Sequence, residues 1–333
     1  MDNKKIPKVS AQLKFADKLG IVKVRLGINR KNYQVAPGIY AVGNPGKDSN
    51  VFVTANYKLS FDMLRSNLKD FKAWILVLDT KGINVWCAAG KGTFGTNELI
   101  SRIMSAGLKD IVDHRRLIVP QLGAAGVAGH VVKKVTGFQV IFGPVRASDI
   151  PAFLKNNMKA SAEMRKVRFS LYDRMILVPM EVIIGAKYII AAAFLFFVLS
   201  GLSKNGYSIF LAVETGKVPV INLLTAFFAG AVAGPVLLPW LPGRSFSLKG
   251  FFSGIIFFLL LMVMHGFINI NRIEAIAWML LISTMSSFVL MNFTGASTYT
   301  SLSGVKKEMK TAVPLQIAGF FIGMILWITC RFI

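Results

Sequence analysis

Residues 74–92 read WILVLDTKGINVWCAAGKG: an apolar run, a turn, then one of only two cysteines in 333 residues, set before small residues. Similar apolar runs recur from residue 37 to about 145, each bounded by Gly, Pro or Asn. Residues 39–42 precede GNPG, 51–54 follow it, 117–119 precede PQLGAAG and 138–142 precede GPVR. Short runs rich in β-branched residues suit strands buried on both faces. Between them lie helix-like stretches at 59–70, 96–108, 124–135 and 148–156. This alternation predicts a parallel, Rossmann-like α/β domain.

In such a domain the ligand lies beyond the carboxyl ends of the strands. The segments GNPG, GINVWCAAGKG, PQLGAAG and GPVR are therefore expected to gather on one rim, Gly123 of the third among the cofactor contacts. Glycines there allow backbone to approach a flat or phosphate-bearing ligand. Ordinary βα turns are the plain alternative for any one of them.

Composition divides the chain. Residues 1–180 carry a net charge of +17 and residues 181–333 a net of +6, within long apolar runs. A helix needs about 20 mostly apolar residues to cross a bilayer. Five candidates follow, at about 182–201, 218–241, 250–268, 273–293 and 312–331. The expected organisation is a basic N-terminal segment (1–36), a cytoplasmic α/β domain (37–180) and an all-α membrane domain of five helices (181–333). The charged start, MDNKKIPKVSAQLKF, lacks the apolar core of a secretory signal. The loop lysines and arginines lean towards the side of the N-terminus, which predicts a multi-pass protein of the cytoplasmic (inner) membrane with that domain inside. Lys187 can snorkel to the interface. Within the spans, His265 and Glu274 are isolated ionisable groups, and a helix–helix hydrogen bond is the ordinary role for such a histidine. Gly230, Gly234, Gly319 and Gly323 have the four-residue spacing that lets helices approach closely. No proton relay, carboxylate pair or inverted repeat argues for a pump.

Familiar motifs are missing. A Walker A loop fails at Val85 and Gly92, no G-x-G-x-x-G follows a strand, and no HExxH or CxxC occurs. Two cysteines cannot hold an iron–sulfur cluster or a disulfide framework. His114 and His130 stand alone. Asp79 reads as a turn or helix cap before a ligand. The basic charge is spread out and lacks a basic–aromatic module, so an anionic membrane surface is a simpler partner than nucleic acid.

Cys87 has three physical readings. It packs as an inert thiol, the ordinary fate of a lone cysteine. It acts as a nucleophile, for which no neighbouring base presents itself in the sequence. Or its thiolate ligates a metal whose other ligands come from a macrocycle.

Residues 84–91, NVWCAAGK, resemble the cap motif of the corrinoid proteins of microbial mercury methylation, the HgcA family. PQLGAAG (120–126) and GPVRASDIPAFL (143–154) resemble the corrinoid-binding domain of the corrinoid iron–sulfur proteins of acetyl-CoA metabolism. The five-span tail fits the first family, not those soluble relatives, which also have no cysteine at the position of Cys87. The resemblance implies a corrinoid (cobalamin) cofactor with Cys87 as lower axial ligand of cobalt. Asn84, Val85, Trp86, Ala88, Ala89, Gly90 and Lys91 map onto the rest of the cap. Asn84 is expected to hydrogen-bond to the corrin or within the cap, and the small residues to give the ring clearance. The D-x-H-x-x-G pattern of His-ligated domains is absent, in keeping with thiolate ligation.

The implied chemistry passes a methyl group from cobalt(III) to Hg(II) as a carbanion equivalent, forming methylmercury, with radical transfer the second option. Two electrons then return cobalt to the state that accepts methyl from a methyl-folate donor. The implied reductant is a ferredoxin with two four-iron clusters, HgcB. Two other readings compete. One is a corrinoid methyl shuttle serving a nickel or thiol acceptor. The other is a transporter with a cytosolic regulatory domain.

Overall fold

The computed structural model describes residues 6–264, 271–296, 300 and 302–333. The chain divides into two compact units, Met1–Val167 and Arg168–Ile333.

The first unit runs β1 (Lys8–Val9), α1 (Phe15–Arg25), β2 (Gly38–Val42), β3 (Val51–Ala55), α2 (Lys58–Ser66), β4 (Ala73–Leu78) and α3 (Val85–Lys91). It continues through α4 (Thr96–Ser105), α5 (Leu108–Ile111), β5 (Arg116–Val119), α6 (Gly129–Thr136), β6 (Gln139–Phe142) and α7 (Ile150–Lys155). One sheet has the order β1-β2-β4-β3-β5-β6. Strands β3 to β6 pair in parallel, whereas β2 lies antiparallel to β4, Gly38 opposite Val77 and Val42 opposite Ala73.

The sheet is thus mixed, which corrects the expectation of a parallel one. The cause is the eight-residue connection from β2 to β3. A parallel return needs a crossover of about a dozen residues or more, so a short connection reverses direction. GNPG, at the carboxyl end of β2, therefore falls on the opposite rim from the segments after β4, β5 and β6. Three of the four turns share a rim, not four.

The strand pleat sends alternate residues to opposite faces. Val51, Val53, Ala55, Leu76 and Leu78 join a core covered by α3, α4 and α6, through Ala88, Leu99 and Val132 among others. Phe52, Ile75, Val77 and Ile118 join a second core, with Phe61 and Leu64 of α2 and Ile150 and Phe153 of α7. The N-terminal stretch, legible in the sequence only as a basic segment, supplies β1 and α1. Asp17 of α1 accepts hydrogen bonds from Lys58 Nζ (2.6 Å) and Arg65 Nη2 (2.8 Å) of α2, and the fully buried Asp62 completes the cluster through the same two cations.

The second unit comprises α8 (Leu171–Met175), α9 (Val178–Leu199), a hairpin of β7 (Leu202–Ser203) and β8 (Gly206–Tyr207), α10 (Ile209–Thr215), α11 (Lys217–Phe228), α12 (Gly234–Leu237), α13 (Phe246–Met264), α14 (Arg272–Ala296) and α15 (Leu302–Thr329). Five helical stretches among the described residues are long and apolar enough to cross a membrane. Their places agree with the five apolar runs, with two differences. The second is interrupted by a π turn at Ala229–Ala233, next to Pro235, whose missing N–H disturbs the helical ladder. The fifth starts at Leu302, nearly three turns before the expected start at residue 312, because its charged first turns are good helix formers while hydropathy marks only the apolar part. His265 and the end of the third expected span lie outside the described residues. Gly230 and Gly234 meet Val289 and Leu290 of α14, while Gly319 and Gly323 meet Thr284 and Leu281 of the same helix. The small residues thus let two neighbours close on α14, and Glu274 pairs with Arg331 (3.3 Å).

Candidate functional site at the carboxyl rim

The rim after β3, β4, β5 and β6 is organised by Asn56, directly after β3 and only 2% exposed. Its Oδ1 accepts from Thr80 N (3.1 Å), Thr80 Oγ1 (2.8 Å) and Gly82 N (2.9 Å), and its Nδ2 donates to Gln34 Oε1 (3.2 Å). One buried amide therefore fixes the loop that leads into α3. Asp79 in that loop is a turn cap: its carboxylate accepts from Lys81 N (3.1 Å) and pairs with Lys81 Nζ (2.5 Å). The Lys81 hydrogen bond, against some burial, holds its carboxyl below the usual range.

Asn84 begins α3. Its Oδ1 accepts from Cys87 N at 2.9 Å and its carbonyl accepts from Ala88 N, also at 2.9 Å. This satisfies one of the free N–H groups of the first turn and sets Cys87 three residues into the helix. Gly92, at φ +81°, ends it. Val85, Ala88 and Ala89 are buried, Trp86 and Cys87 half-buried, and Gly90 and Lys91 exposed. Cys87, Gly90 and Lys91 share a face by their i, i+3 and i+4 spacing. The Cys87 thiol is free and half-buried, with the bare backbone of Gly90 one turn along.

The small residues divide by role. Ala88 and Ala89 point inward, and a Cβ at Gly126 would lie 3.1 Å from Ala89 Cα. Their size lets α3 sit directly on the segment after β5, so Gly90 is the small residue that faces outward. Gly123 is buried, and a Cβ there would lie 2.5 Å from the Phe94 ring. It makes room for that core phenylalanine, and is not on the exposed surface.

Sequence reading passed over three neighbours of the site. Asn56 carried no signal, being one asparagine after a strand. Gln121, in the 3₁₀ turn beside α3, has a buried Oε1 with no hydrogen-bond partner among the described residues. Tyr57 is 4% exposed and close enough to Cys87 to sense its charge. Burial pushes the Tyr57 phenol up, a negative charge on Cys87 adds to this, and Arg30, 5.9 Å from the ring centroid, opposes it.

The histidines are elsewhere. His114, before β5 and so on the opposite rim, bonds through Nε2 to Ser49 O (2.9 Å), and His130 is exposed on α6.

Fold and site together define an α/β unit with one outward thiol at its carboxyl rim. The family model described as CO dehydrogenase/acetyl-CoA synthase delta subunit matches residues 21–154. The gamma subunit of the acetyl-CoA decarbonylase/synthase complex of Archaeoglobus fulgidus is 34% identical over 130 residues, covering 38% of this chain and 27% of the relative. That of Methanopyrus kandleri is 33% identical over 129 residues, covering 38% and 27%. The corrinoid/iron-sulfur protein large subunit of Moorella thermoacetica is 30% identical over 119 residues, covering 35% and 26%. The α/β unit is therefore similar in sequence to part of these corrinoid iron–sulfur and acetyl-CoA decarbonylase/synthase subunits, and the chain spans about a quarter of the length of these curated relatives.

Proposed function

We propose that the chain is a membrane-bound, corrinoid-dependent methyltransferase that passes a methyl group to Hg(II), forming methylmercury. Cys87 would hold the cobalt of a bound corrinoid through its thiolate. The observation that carries this reading is the Cys87 thiol itself, which is free and half-buried on the outward face of a helix at the carboxyl rim of a corrinoid-protein-type domain.

The residues present fit a corrinoid. No group of three or more His, Cys, Asp or Glu able to hold a free ion occurs among the described residues. One thiolate suffices when a macrocycle brings the other ligands. The lone acceptor Gln121 Oε1 suits the amide N–H groups that fringe a corrin ring. When bound, the corrinoid supplies a cobalt-held methyl group for transfer to Hg(II), the substrate.

Cys87 contributes an electron-rich sulfur. Asn84 fixes the start of the helix that carries it. Val85, Ala88 and Ala89 anchor that helix inward. Trp86, Gly90 and Lys91 form the surface a flat ring meets, and Gly123 supports it from below by admitting Phe94.

Two cysteines provide no redox cluster, so electrons come from a ferredoxin partner with two four-iron clusters, of the HgcB kind. The methyl group comes from a methyl-tetrahydrofolate-type donor, through a further methyltransferase. The five apolar helices hold the protein in the cytoplasmic membrane with the α/β unit on the cytoplasmic side, following the lysine and arginine bias of the loops.

The test is an anaerobic absorption spectrum of the detergent-purified chain with a methylated corrinoid, wild type beside Cys87→Ala. The wild type should give a shifted cobalt–methyl band that the variant lacks, and the variant should lose methylmercury formation. Identical spectra and equal methylation would overturn the ligand role. The names of the relatives favour a second reading, a methyl shuttle to another acceptor. It requires that Cys87→Ala still bind corrinoid and deliver methyl to a thiol or nickel acceptor.

A further inference from the structure

In the second unit, α13, α14 and α15 line an open cavity of about 760 Å³. We propose that it binds the head group of an anionic phospholipid bearing a hydrogen-bond donor, of the phosphatidylglycerol type. The inference rests on the five apolar helices lying in a bilayer and is independent of the corrinoid.

The argument begins with Gln316, which lines the cavity and is 8% exposed. Its Nε2 donates to Ser287 Oγ (2.8 Å), and Ser287 Oγ donates to Ser247 O (2.8 Å). A serine hydroxyl has one proton, which the Ser247 carbonyl takes, so Ser287 can only accept from Gln316. The amide orientation follows: the nitrogen faces Ser287. Gln316 Oε1 is then left buried with no partner among the described residues. An unpaired buried acceptor is destabilising. The occupant that relieves this must present an O–H or N–H group. An ester or ketone oxygen cannot.

The other walls specify the rest of the ligand. Arg244 and Lys307 both line the cavity. Arg244 precedes α13 by two residues, and Ser247, at the end of the Gln316 hydrogen-bond chain, is in its first turn. The cations thus line the same cavity as the lone acceptor, towards the start of α13. The third charge, Glu308, is engaged as a cap, its Oε1 accepting from Ser247 N (2.6 Å). The carboxylate keeps its charge, so these three side chains sum to +1, which still favours an anion. The remaining wall is apolar, and two of its members face outward, Leu315 at 67% and Leu248 at 42% exposure. An acyl chain can lie along them. A free phosphate would leave that surface unused.

Native mass spectrometry of the full chain in detergent reads this directly. Phosphatidylglycerol, phosphatidylcholine and phosphatidylmethanol of identical acyl chains are offered in competition. Phosphatidylmethanol is anionic but its head group has no donor. Phosphatidylglycerol should be retained over phosphatidylcholine by about fivefold for each basic residue engaged. It should exceed phosphatidylmethanol by about fivefold, the worth of one hydrogen bond. Arg244→Ala with Lys307→Ala should erase the first preference, while Arg244→Lys with Lys307→Arg keeps it. Gln316→Leu, or Gln316→Met should the first fail to fold, should erase only the second. Equal retention of the three lipids overturns the proposal, as does a second preference unchanged in the Gln316 variants. Displacement of lipid by millimolar inorganic phosphate would make it a free-anion site instead. A chain soluble without detergent would overturn the membrane reading itself, whereas an extracted chain without lipid preference overturns this inference alone.

Discussion

Replacing Asn84 by alanine separates two roles that one residue could have beside Cys87. The side-chain Oδ1 satisfies Cys87 N at 2.9 Å, so Asn84→Ala removes the acceptor from the first turn of a seven-residue helix. Loss of an N-cap costs about 1 kcal/mol, within a range of about 0.5–2, so the helix start should open about fivefold more often. The backbone bond from Ala88 N to Asn84 O remains, and α3 is also held by its buried Val85, Ala88 and Ala89. The domain should therefore stay folded while the start of α3 frays. Hydrogen exchange of the Cys87 amide reads this directly and should quicken about fivefold in Asn84→Ala. Asn84→Ser keeps an acceptor at the same position and should restore most of the protection. Corrinoid affinity should follow the same order, wild type and Asn84→Ser above Asn84→Ala. The reasoning fails if exchange is unchanged in Asn84→Ala. It also fails if Asn84→Ser restores protection yet binds corrinoid as poorly as Asn84→Ala, for then the amide itself touches the ligand.

Asn56→Ala should strand Thr80 N and Gly82 N, costing about 2–4 kcal/mol in thermal or denaturant unfolding and loosening the loop before α3. Gly123→Ala should cost about 1–3 kcal/mol by driving a methyl into the Phe94 ring, again read by unfolding. Asp17 has an acid signature: burial alone would raise its carboxyl, but hydrogen bonds from Lys58 and Arg65 outweigh that and hold it at about 2, against an ordinary 3.8. A depressed carboxyl stabilises the fold above the unfolded value, so up to about 2 kcal/mol should be present at neutral pH and fade as pH falls from about 4 to 2. Asp17→Asn should start less stable and flatten that part of the stability–pH curve.

Much of the strand set was legible in the sequence because each strand is a local apolar run closed by turn residues. Residues 51–54 and 74–78 fall inside Val51–Ala55 and Ala73–Leu78. The direction of β2 was not legible, because an apolar run carries no arrow; direction follows from a partner far along the chain and from the length of the connection. β1 is two residues long and has no pattern of its own. The helix after β5 was expected from residue 124 but starts at Gly129, because residues 121–128 are held as a turn under α3, through Thr96 Oγ1 accepting from Ala128 N (2.9 Å) and Thr96 N donating to Gly126 O (3.1 Å). Asn56 and Gln316 matter through what surrounds them, and single letters do not carry that.

The run NVWCAAGK illustrates how far a local motif can be read. Its composition reveals that something must come close, but not from which side, because the phase of a helix is set by what it packs against. In the fold, Ala88 and Ala89 bring the helix backbone onto the segment after β5, and Gly90 leaves the outer face bare beside the thiol. Close approach is thus needed on the inner side of α3, while the outer side is left open. The inward contact is between backbones, Ala89 against Gly126, which is stiffer than contact between long side chains. The height of Cys87 above the rim is consequently fixed by main chain, by the Asn84 cap and by the Asn56 hydrogen bonds, and little of it depends on the cysteine itself. Under the proposed role, such a mount would hold the Cys87 thiolate at a set distance from a bound ring.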